Sequence, residues 1–358
     1  MARIWLINEY SSTPATGHGG RQYYLARELA RRRHEVTLVA SRWHHKLRGD
    51  VTDQDLPEEE HVDGFKFVRV KMPRYKNSFD KRRVLNWFLF SWHVSRLDRR
   101  LRGRPDAVLC SSPSLPVSLG AARLARRLGA RFVFEVRDIW PLTLVEVGGY
   151  SPRHPVIRLL QWIEDRGYRR ADAVVSNLEG AVEHMVSRGM DRNKFTWVSN
   201  GISLDEVETP EPLAPEVTAR IPTEGFRVAY VGTLGLANNL ETLIDAAAQI
   251  TDMPDLHILL VGQGRARDDL EARARRVGVH NLHFLGVVPK AQVQSVLSKV
   301  DACYISLKSD SVFRVGISPN KLFDYMFSGK PVLCGIDAAG YDPVGKFDAG
   351  IKIPPEDP

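Results

Sequence analysis

Short apolar runs recur along the chain without polar alternation, and stretches of helical periodicity separate them. Ile4-Trp5-Leu6-Ile7 reads as a buried strand, a loop runs from Tyr10 to Gly20, and a helix follows near Arg21–Arg33. Val36–Val39, Ala107–Cys110, Arg131–Val136 and Ala173–Ser176 continue the strands, with helices expected near Val117–Leu128 and Pro155–Arg169. Strands apolar on both faces and joined through helices predict a parallel sheet covered on both sides. Residues 204–225 interrupt the pattern. Pro210, Pro212, Pro215 and Pro222 lie there among acids, which reads as a linker. Strands then resume at Arg227–Val231, His257–Val261, His283–Leu285, Ala302–Ile305 and Pro331–Cys334, with a helix at Leu240–Gln249. The pattern predicts two α/β domains, 1–203 and 226–358. A last strand at 349–353 and a helix-like opening at 354–358 leave the second domain a helix short, so its C-terminal end is expected to be incomplete.

One helical segment differs from the rest. Val84–Val94 is too short to cross a bilayer, is rich in aromatic residues and is flanked by Lys81, Arg82, Arg83, Arg96, Arg99, Arg100 and Arg102. Trp87, Phe88, Val94 and Leu97 share an apolar stripe on a helix, widened by Leu85, Leu89 and Trp92. Between Lys71 and Arg104 there are eleven Lys or Arg and two acids, which more than accounts for the chain's net charge of +7. Such a segment fits an interfacial helix on an anionic membrane surface, or a helix packed on the sheet with only its arginines reaching lipid. No groove-reading motif or stacking pattern accompanies it, so nucleic acid is not the expected partner.

Length and composition narrow the class. With 358 residues, 43% hydrophobic and 26% charged, the chain suits two globular domains of ordinary size. It has no run of about 18 apolar residues, and MARIWLINEY has no leader-like apolar centre. Cys110, Cys303 and Cys334 are scattered and read as buried, reduced thiols, which fits a cytoplasmic protein.

Candidate chemistry sits at strand ends, where open parallel sheets bind ligands. Gly17-His18-Gly19-Gly20 opens the first helix and lets backbone N–H groups approach a phosphate or a sugar. It lacks the G-x-G-x-x-G spacing, so a dinucleotide cofactor is not expected. In the second half, Gly232-Thr233-Leu234-Gly235 and Gly262-Gln263-Gly264 each follow a strand, and together suggest a cleft lined by backbone donors. Ser318-Pro319-Asn320-Lys321-Leu322-Phe323-Asp324 opens a short helix whose N–H groups at Asn320 and Lys321 would attract a diphosphate. Asp324, one turn in, is placed to accept hydrogen bonds from a ribose diol. Asp53 and Asp55 have the spacing of a metal-binding pair but read as solvated. Asp138 is the acid expected nearest the reaction centre, the other reading being an ion pair with Arg137, and Glu135 is expected to face packing.

These pieces occur in an order that resembles one family. The glycine loop, Arg137-Asp138-Ile139-Trp140-Pro141, Ser199-Asn200-Gly201-Ile202, Gly232-Thr233, Val261–Gly264 and Lys321–Val332 are similar to the family 4 retaining glycosyltransferases of the GT-B fold. Within them the chain most resembles bacterial surface-polysaccharide transferases of N-acetyl-fucosamine type. The resemblance implies two Rossmann-like domains, a UDP-sugar on the second and an acceptor on the first, with no metal and no cofactor beyond the donor. The implied donor set is Gly232, Thr233, Gly235, Gly262, Gly264, Arg265, Val288, Arg314, Asn320, Lys321, Leu322 and Asp324. The implied acceptor set is Gly19, Gly20 and Arg137, with Asp138 and Lys321 at the chemistry. The acceptor would be a polyprenyl-diphosphate-linked saccharide at the inner face of the membrane.

Three positions depart from the family pattern. Arg137 stands where many relatives have histidine, Thr233 and, approximately, Asn238 stand where they have arginine and lysine, and Gly316 replaces the first of two paired acids. Positive charge for the leaving diphosphate must then come from Lys321, helped by Arg314 or Arg265. A UDP-sugar 2-epimerase of the same fold and a non-catalytic membrane-associated saccharide-binding subunit are the alternative functions.

Overall fold

The computed structural model describes residues 1–358 apart from 18, 53, 77–79, 147, 251, 310–315 and 339–341. The chain forms two compact units, Met1–Ser199 and Asn200–Pro358.

The first unit is built on eight strands. These are β1 (Arg3–Ile7), β2 (Glu35–Ser41), β3 (Glu59–Val62), β4 (Phe65–Val70), β5 (Ala107–Ser111), β6 (Arg131–Val136), β7 (Ala173–Ser176) and β8 (Phe195–Trp197). Their order is β3-β4-β2-β1-β5-β6-β7-β8, parallel except for the β3–β4 hairpin. The hairpin turns at Asp63-Gly64, both with positive φ (46° and 83°), as a two-residue turn between antiparallel strands requires. Helices α1 (Arg21–Arg31), α2 (Arg82–Val94), α3 (Pro116–Leu128), α4 (Leu142–Glu146), α5 (Pro155–Arg170) and α6 (Ala181–Ser187) accompany the sheet. Leu6, Val36, Leu38, Ala40, Phe65 and Phe67 form one core with Tyr23 and Ala26 of α1.

The second unit carries β9 (Phe226–Val231), β10 (Leu256–Val261), β11 (Leu282–Gly286), β12 (Ala302–Ser306), β13 (Val332–Gly335) and β14 (Gly350–Lys352). They are all parallel, in the order β11-β10-β9-β12-β13-β14. Alternate residues of each strand enter opposite cores. Ala229, Val231, Leu259 and Val261 point to one side, where Leu322 and Tyr325 pack. Val228, Tyr230, Ile258 and Leu260 point to the other. Both faces are buried, which is why these strands show no polar alternation. The helices are α7 (Leu204–Val207), α8 (Pro215–Thr218), α9 (Leu240–Gln249), α10 (Arg267–Val277), α11 (Val293–Leu297), α12 (Asn320–Phe327) and α13 (Pro343–Lys346).

The proline-rich stretch 204–225, expected as a linker, is folded within the second unit. It contains α7 and α8, Ile221 joins the core of the second unit, and the Glu211 N–H donates to the Ala291 carbonyl at 2.9 Å.

Helix α2 also differs from the single stripe read in the sequence. Trp87, Phe90 and Val94 are buried against the unit, while Leu85, Phe88, Leu89 and Trp92 are exposed. Apolar side chains thus occupy two faces of the helix, one structural and one open. No described helix is long and apolar enough to cross a membrane.

Candidate functional site

In each unit the strand order reverses beside one strand, the point at which open α/β sheets bind ligands beyond the carboxyl ends of their strands. The second unit reverses between β9 and β12. Gly232 follows β9 with φ 155°, and Gly262 follows β10 with φ 143°. The two turns are locked together: a Cβ on Gly262 would lie 1.9 Å from the Gly232 carbonyl oxygen, and one on Gly264 would lie 2.2 Å from that of Leu234. The Leu234 N–H donates to Gln263 and the Ala266 N–H returns to Leu234, at 3.1 and 3.0 Å. Glycine is required here because two backbones approach closely.

Lys321, in the first turn of α12, reaches into these turns. Its ammonium donates to the Tyr230 hydroxyl (2.5 Å) and to Oδ1 of Asn238 (2.8 Å), and lies 4.1 Å from the Tyr230 ring centre. Its chain also passes the Gly232 backbone, where an added Cβ would be 3.0 Å from Cε. Burial, with no acidic partner among the described residues, pulls its pKa down to about 7. Asn238 itself donates to the Thr233 carbonyl at 3.0 Å, so Thr233, Asn238 and Lys321 form one hydrogen-bonded group beside the Gly232 backbone. The Gly235 N–H also donates to the Thr233 carbonyl (2.9 Å), closing the same turn.

Asp324 is buried and accepts a short hydrogen bond from the Lys290 ammonium, a partner the sequence reading did not find. Asn200 holds the approach to α12. Its N–H and side-chain amide donate to the Ser318 hydroxyl and carbonyl, at 3.1 and 2.7 Å. The remaining implied donor residues divide. Asn320 and Arg265 are exposed at the ends of their loops. Leu322 is a core side chain, and its N–H is taken by the Pro319 carbonyl (3.1 Å), so its role is packing rather than donor contact. Val288 is half-buried against the same core. Arg314 lies outside the described residues.

The first unit reverses between β1 and β5, and a buried polar group fills that point. Asn8 donates to the Ser112 carbonyl (3.2 Å), and the Glu9 carboxylate accepts from the Ser114 hydroxyl (2.5 Å). Burial raises the pKa of Glu9 to about 7. The Trp87 indole donates to the Tyr10 hydroxyl at 2.6 Å, and Lys46 lies 5.5 Å from the Tyr10 ring centre. Burial, then the charge of Arg137, lower the pKa of Lys46, while Asp138 opposes them. None of Glu9, Tyr10 or Lys46 was anticipated, although Glu9 and Tyr10 follow β1 directly, where ligands of such sheets collect.

At the end of β6, Asp138 is exposed. No Arg137–Asp138 ion pair forms among the described residues. Arg137 donates instead to Oε1 of Gln22 (3.2 Å) and, through its backbone N–H, to the Ser112 hydroxyl (2.8 Å). Glu135, expected to face packing, is the centre of a buried polar network. It is fully buried, pairs with Arg21 at 2.8 Å and accepts a short bond from Gln22. Arg21 also binds the Val198 and Ser199 carbonyls at 2.8 and 2.6 Å. Gly19 and Gly20 precede α1 with φ 64° and 89°, and the space beside Gly20 is open. Asp53 and His18 lie outside the described residues, and Asp55 bonds only locally to Thr52.

Comparison with known proteins supplies the family. Residues 16–201 match the glycosyl transferase 4-like domain, and residues 225–358 match the glycosyl transferases group 1 domain. The chain is a family 4 glycosyltransferase. Over its whole length this glycosyltransferase is 24% identical to the probable glycosyltransferase WbjE of Pseudomonas aeruginosa, covering 87% of it. It is 23% identical over 251 residues to the putative colanic acid biosynthesis glycosyl transferase WcaI of Escherichia coli K12, matching 69% of this chain and 60% of WcaI. Among solved structures, Anabaena HepE in complex with UDP and glucose aligns with all of this chain and 87% of its own, at TM-score 0.64 and 14% identity. The glycosyltransferase therefore has the GT-B fold of two Rossmann-like domains.

Proposed function

We propose that this glycosyltransferase moves a sugar from a UDP-sugar to a lipid-linked saccharide in bacterial envelope polysaccharide assembly, with retention at the anomeric carbon. The colanic acid pathway in the name of WcaI supports the choice of pathway, and the UDP bound by HepE supports the choice of donor.

The observation that carries the reading is the position of Lys321. By the family pattern Asn238 stands approximately where many relatives have a lysine, and the Lys321 ammonium is 2.8 Å from its side-chain oxygen. The missing cation of the loop is thus replaced from α12. As the acceptor oxygen bonds to the anomeric carbon, the bond between the sugar and the diphosphate breaks, its electron pair passes to the β-phosphate, and the acceptor's proton leaves to that phosphate. A cation placed there stabilises the developing charge, and loss of one such donor costs roughly 100- to 1,000-fold in rate. A lysine that already supplies this charge leaves no step that calls for a divalent metal, and the reaction proceeds without one. Asp324 binds the ribose, with Lys290 moving aside or sharing the carboxylate. Asp138 and Arg137 orient the acceptor hydroxyl beside the Glu9–Ser114 group.

The acceptor's lipid places the enzyme peripherally on the inner face of the cell membrane. The exposed face of α2, Leu85, Phe88, Leu89 and Trp92, makes the contact. Transfer of labelled sugar from UDP-sugars to membrane extracts tests the proposal. Parent enzyme should label a lipid-extractable product and Lys321→Ala should lose nearly all of that activity. Equal labelling by both would remove Lys321 from the mechanism.

A further inference from the structure

A groove on the first unit, at the amino end of β6 and away from the loops at its carboxyl end, has no part in the chemistry described above. Helix α3 forms its floor, and α2 and α5 its walls. One end is a cavity of about 560 Å³ lined by Arg123, Arg126, Arg131 and Arg170. It continues into a second of about 390 Å³ that shares Arg123, Arg126 and Arg170 and adds Arg166. Arg131 begins β6, whereas Arg137 follows its end. Six strand residues at about 3.3 Å each separate the groove from the acceptor side by roughly 20 Å.

The charge in the groove is not neutralised. Asp172 is the one acid among its described lining residues, and its carboxylate already accepts the Phe132 N–H at 2.7 Å. Among the described residues, the guanidinium groups of Arg123, Arg126, Arg131 and Arg170 have no hydrogen-bond or ion-pair partner. Burial, then Arg166 and Arg126, lower the pKa of Arg170, which places these cations close together. The last carbonyls of α3 and α5 are already engaged by Arg104 and Lys194, through Leu128 and Ala171, so Asp172 offsets one of the five arginine charges and about four remain. Each planar guanidinium can bind a phosphate through two parallel N–H···O bonds.

The groove opens between apolar side chains. Trp92 and Phe88 of α2 stand on one side and Trp162 of α5 on the other, all exposed. Arg96 and Arg166 lie over the Trp92 and Trp162 rings, at 4.0 and 5.2 Å. A soluble anion makes no use of exposed tryptophans. A lipid does, because its acyl chains lie beside its phosphates, and Trp and Arg are the residues that settle at that boundary.

We propose that this groove binds the headgroup of an anionic phospholipid carrying two phosphates, with α2 and α5 resting on the bilayer either side. The inference rests on the membrane contact proposed above and names the lipid and the residues that select it.

The test is co-sedimentation of the full chain with phosphatidylcholine vesicles containing either phosphatidylglycerol or cardiolipin, matched for total charge. Parent protein should prefer the two-phosphate lipid. The triple substitution Arg123→Ser, Arg126→Ser, Arg170→Ser should lose that preference and bind on the order of 100-fold more weakly, since each cation near anionic lipid contributes roughly fivefold. An unchanged melting temperature and UDP response would show the variant folded, and Arg170→Ser alone serves if the triple variant does not fold. If parent and variant bind both vesicles alike, the groove is not the site, while the membrane contact stands. Failure of the parent to bind any anionic vesicle would overturn both. Binding of inorganic diphosphate with no preference among vesicles would make the ligand a soluble anion and overturn the lipid assignment.

Discussion

The Lys321 ammonium lies 2.8 Å from the side-chain oxygen of Asn238, and its other partner, the Tyr230 hydroxyl, is also neutral. Among the described residues the cation therefore has no counter-charge, and burial holds its pKa at about 7. A bound diphosphate favours the charged form and raises that value. Below pH 7 the ammonium is already protonated and UDP binding takes up no proton from it. Above pH 7 binding draws one in, and affinity falls about tenfold per pH unit until the pKa of the complex is passed. Calorimetry at pH 8 in two buffers of different ionisation enthalpy should show uptake approaching one proton, which Lys321→Met should abolish. No uptake by the parent at pH 8 would show that Lys321 does not charge against the diphosphate.

Asp324 is expected to exchange its Lys290 partner for the ribose hydroxyls. Hydrogen bonds to a charged group contribute about 1.5–3 kcal/mol. Asp324→Asn should therefore weaken UDP binding by roughly 10- to 100-fold and remove most of its discrimination against 2′,3′-dideoxy-UDP. Retained discrimination would place the ribose elsewhere.

Removal of Arg21 tests the buried network of the first unit. Glu135 is fully buried, and Arg21→Ala leaves its carboxylate without its ion-pair partner. Urea unfolding should show a loss of about 3–5 kcal/mol. The double variant Arg21→Ala, Glu135→Leu should be more stable than the single, since the unpaired charge goes with the glutamate. A single-variant loss below about 1 kcal/mol would mean the pair is not the strut it resembles.

Glu9 should make the first unit less stable as pH rises. Burial lifts its pKa from 4.5 to about 7. Between those values the unfolded chain has released a proton that the folded one retains, so stability falls through that window, by at most roughly 3 kcal/mol. Glu9→Gln should flatten this fall in urea midpoints between pH 5 and 7.5. An unaltered slope would assign the dependence to other groups.

Chelation is the simplest check on the charge supplied by Lys321. Transfer measured with excess EDTA should match transfer with added magnesium, whereas a metal-bridged diphosphate would lose activity by orders of magnitude.

Much of this was legible in the sequence because two buried parallel sheets leave a plain signature. Apolar strands such as His257–Val261 cannot belong to a half-exposed sheet, and the glycines ending them mark where backbones meet. Helix α10 gave little signal, since only Leu270 and Ala274 of its eleven residues are buried. The β3–β4 hairpin did carry one, the Asp63-Gly64 turn, but its short, charged edge strand shows no apolar run. Candidate residues were legible where a motif ordered them, as with Lys321 and Asp324. Lys290, Glu9 and Arg21 were not, because each acquires meaning from a partner distant in sequence: Asp324, Ser114 and Glu135. Leu322 misled for the opposite reason. It lies inside the motif, yet helical spacing turns it into the core.

The most direct measurement is thermal unfolding of the parent and of Lys321→Met with UDP, GDP, ADP and NAD at matched concentrations. At about 100 times its dissociation constant a ligand adds roughly 2.7 kcal/mol of stability. Selective stabilisation of the parent by UDP, lost in Lys321→Met, is the predicted result. Stabilisation by none of the four, or by UDP equally in both proteins, would contradict a donor site built around Lys321.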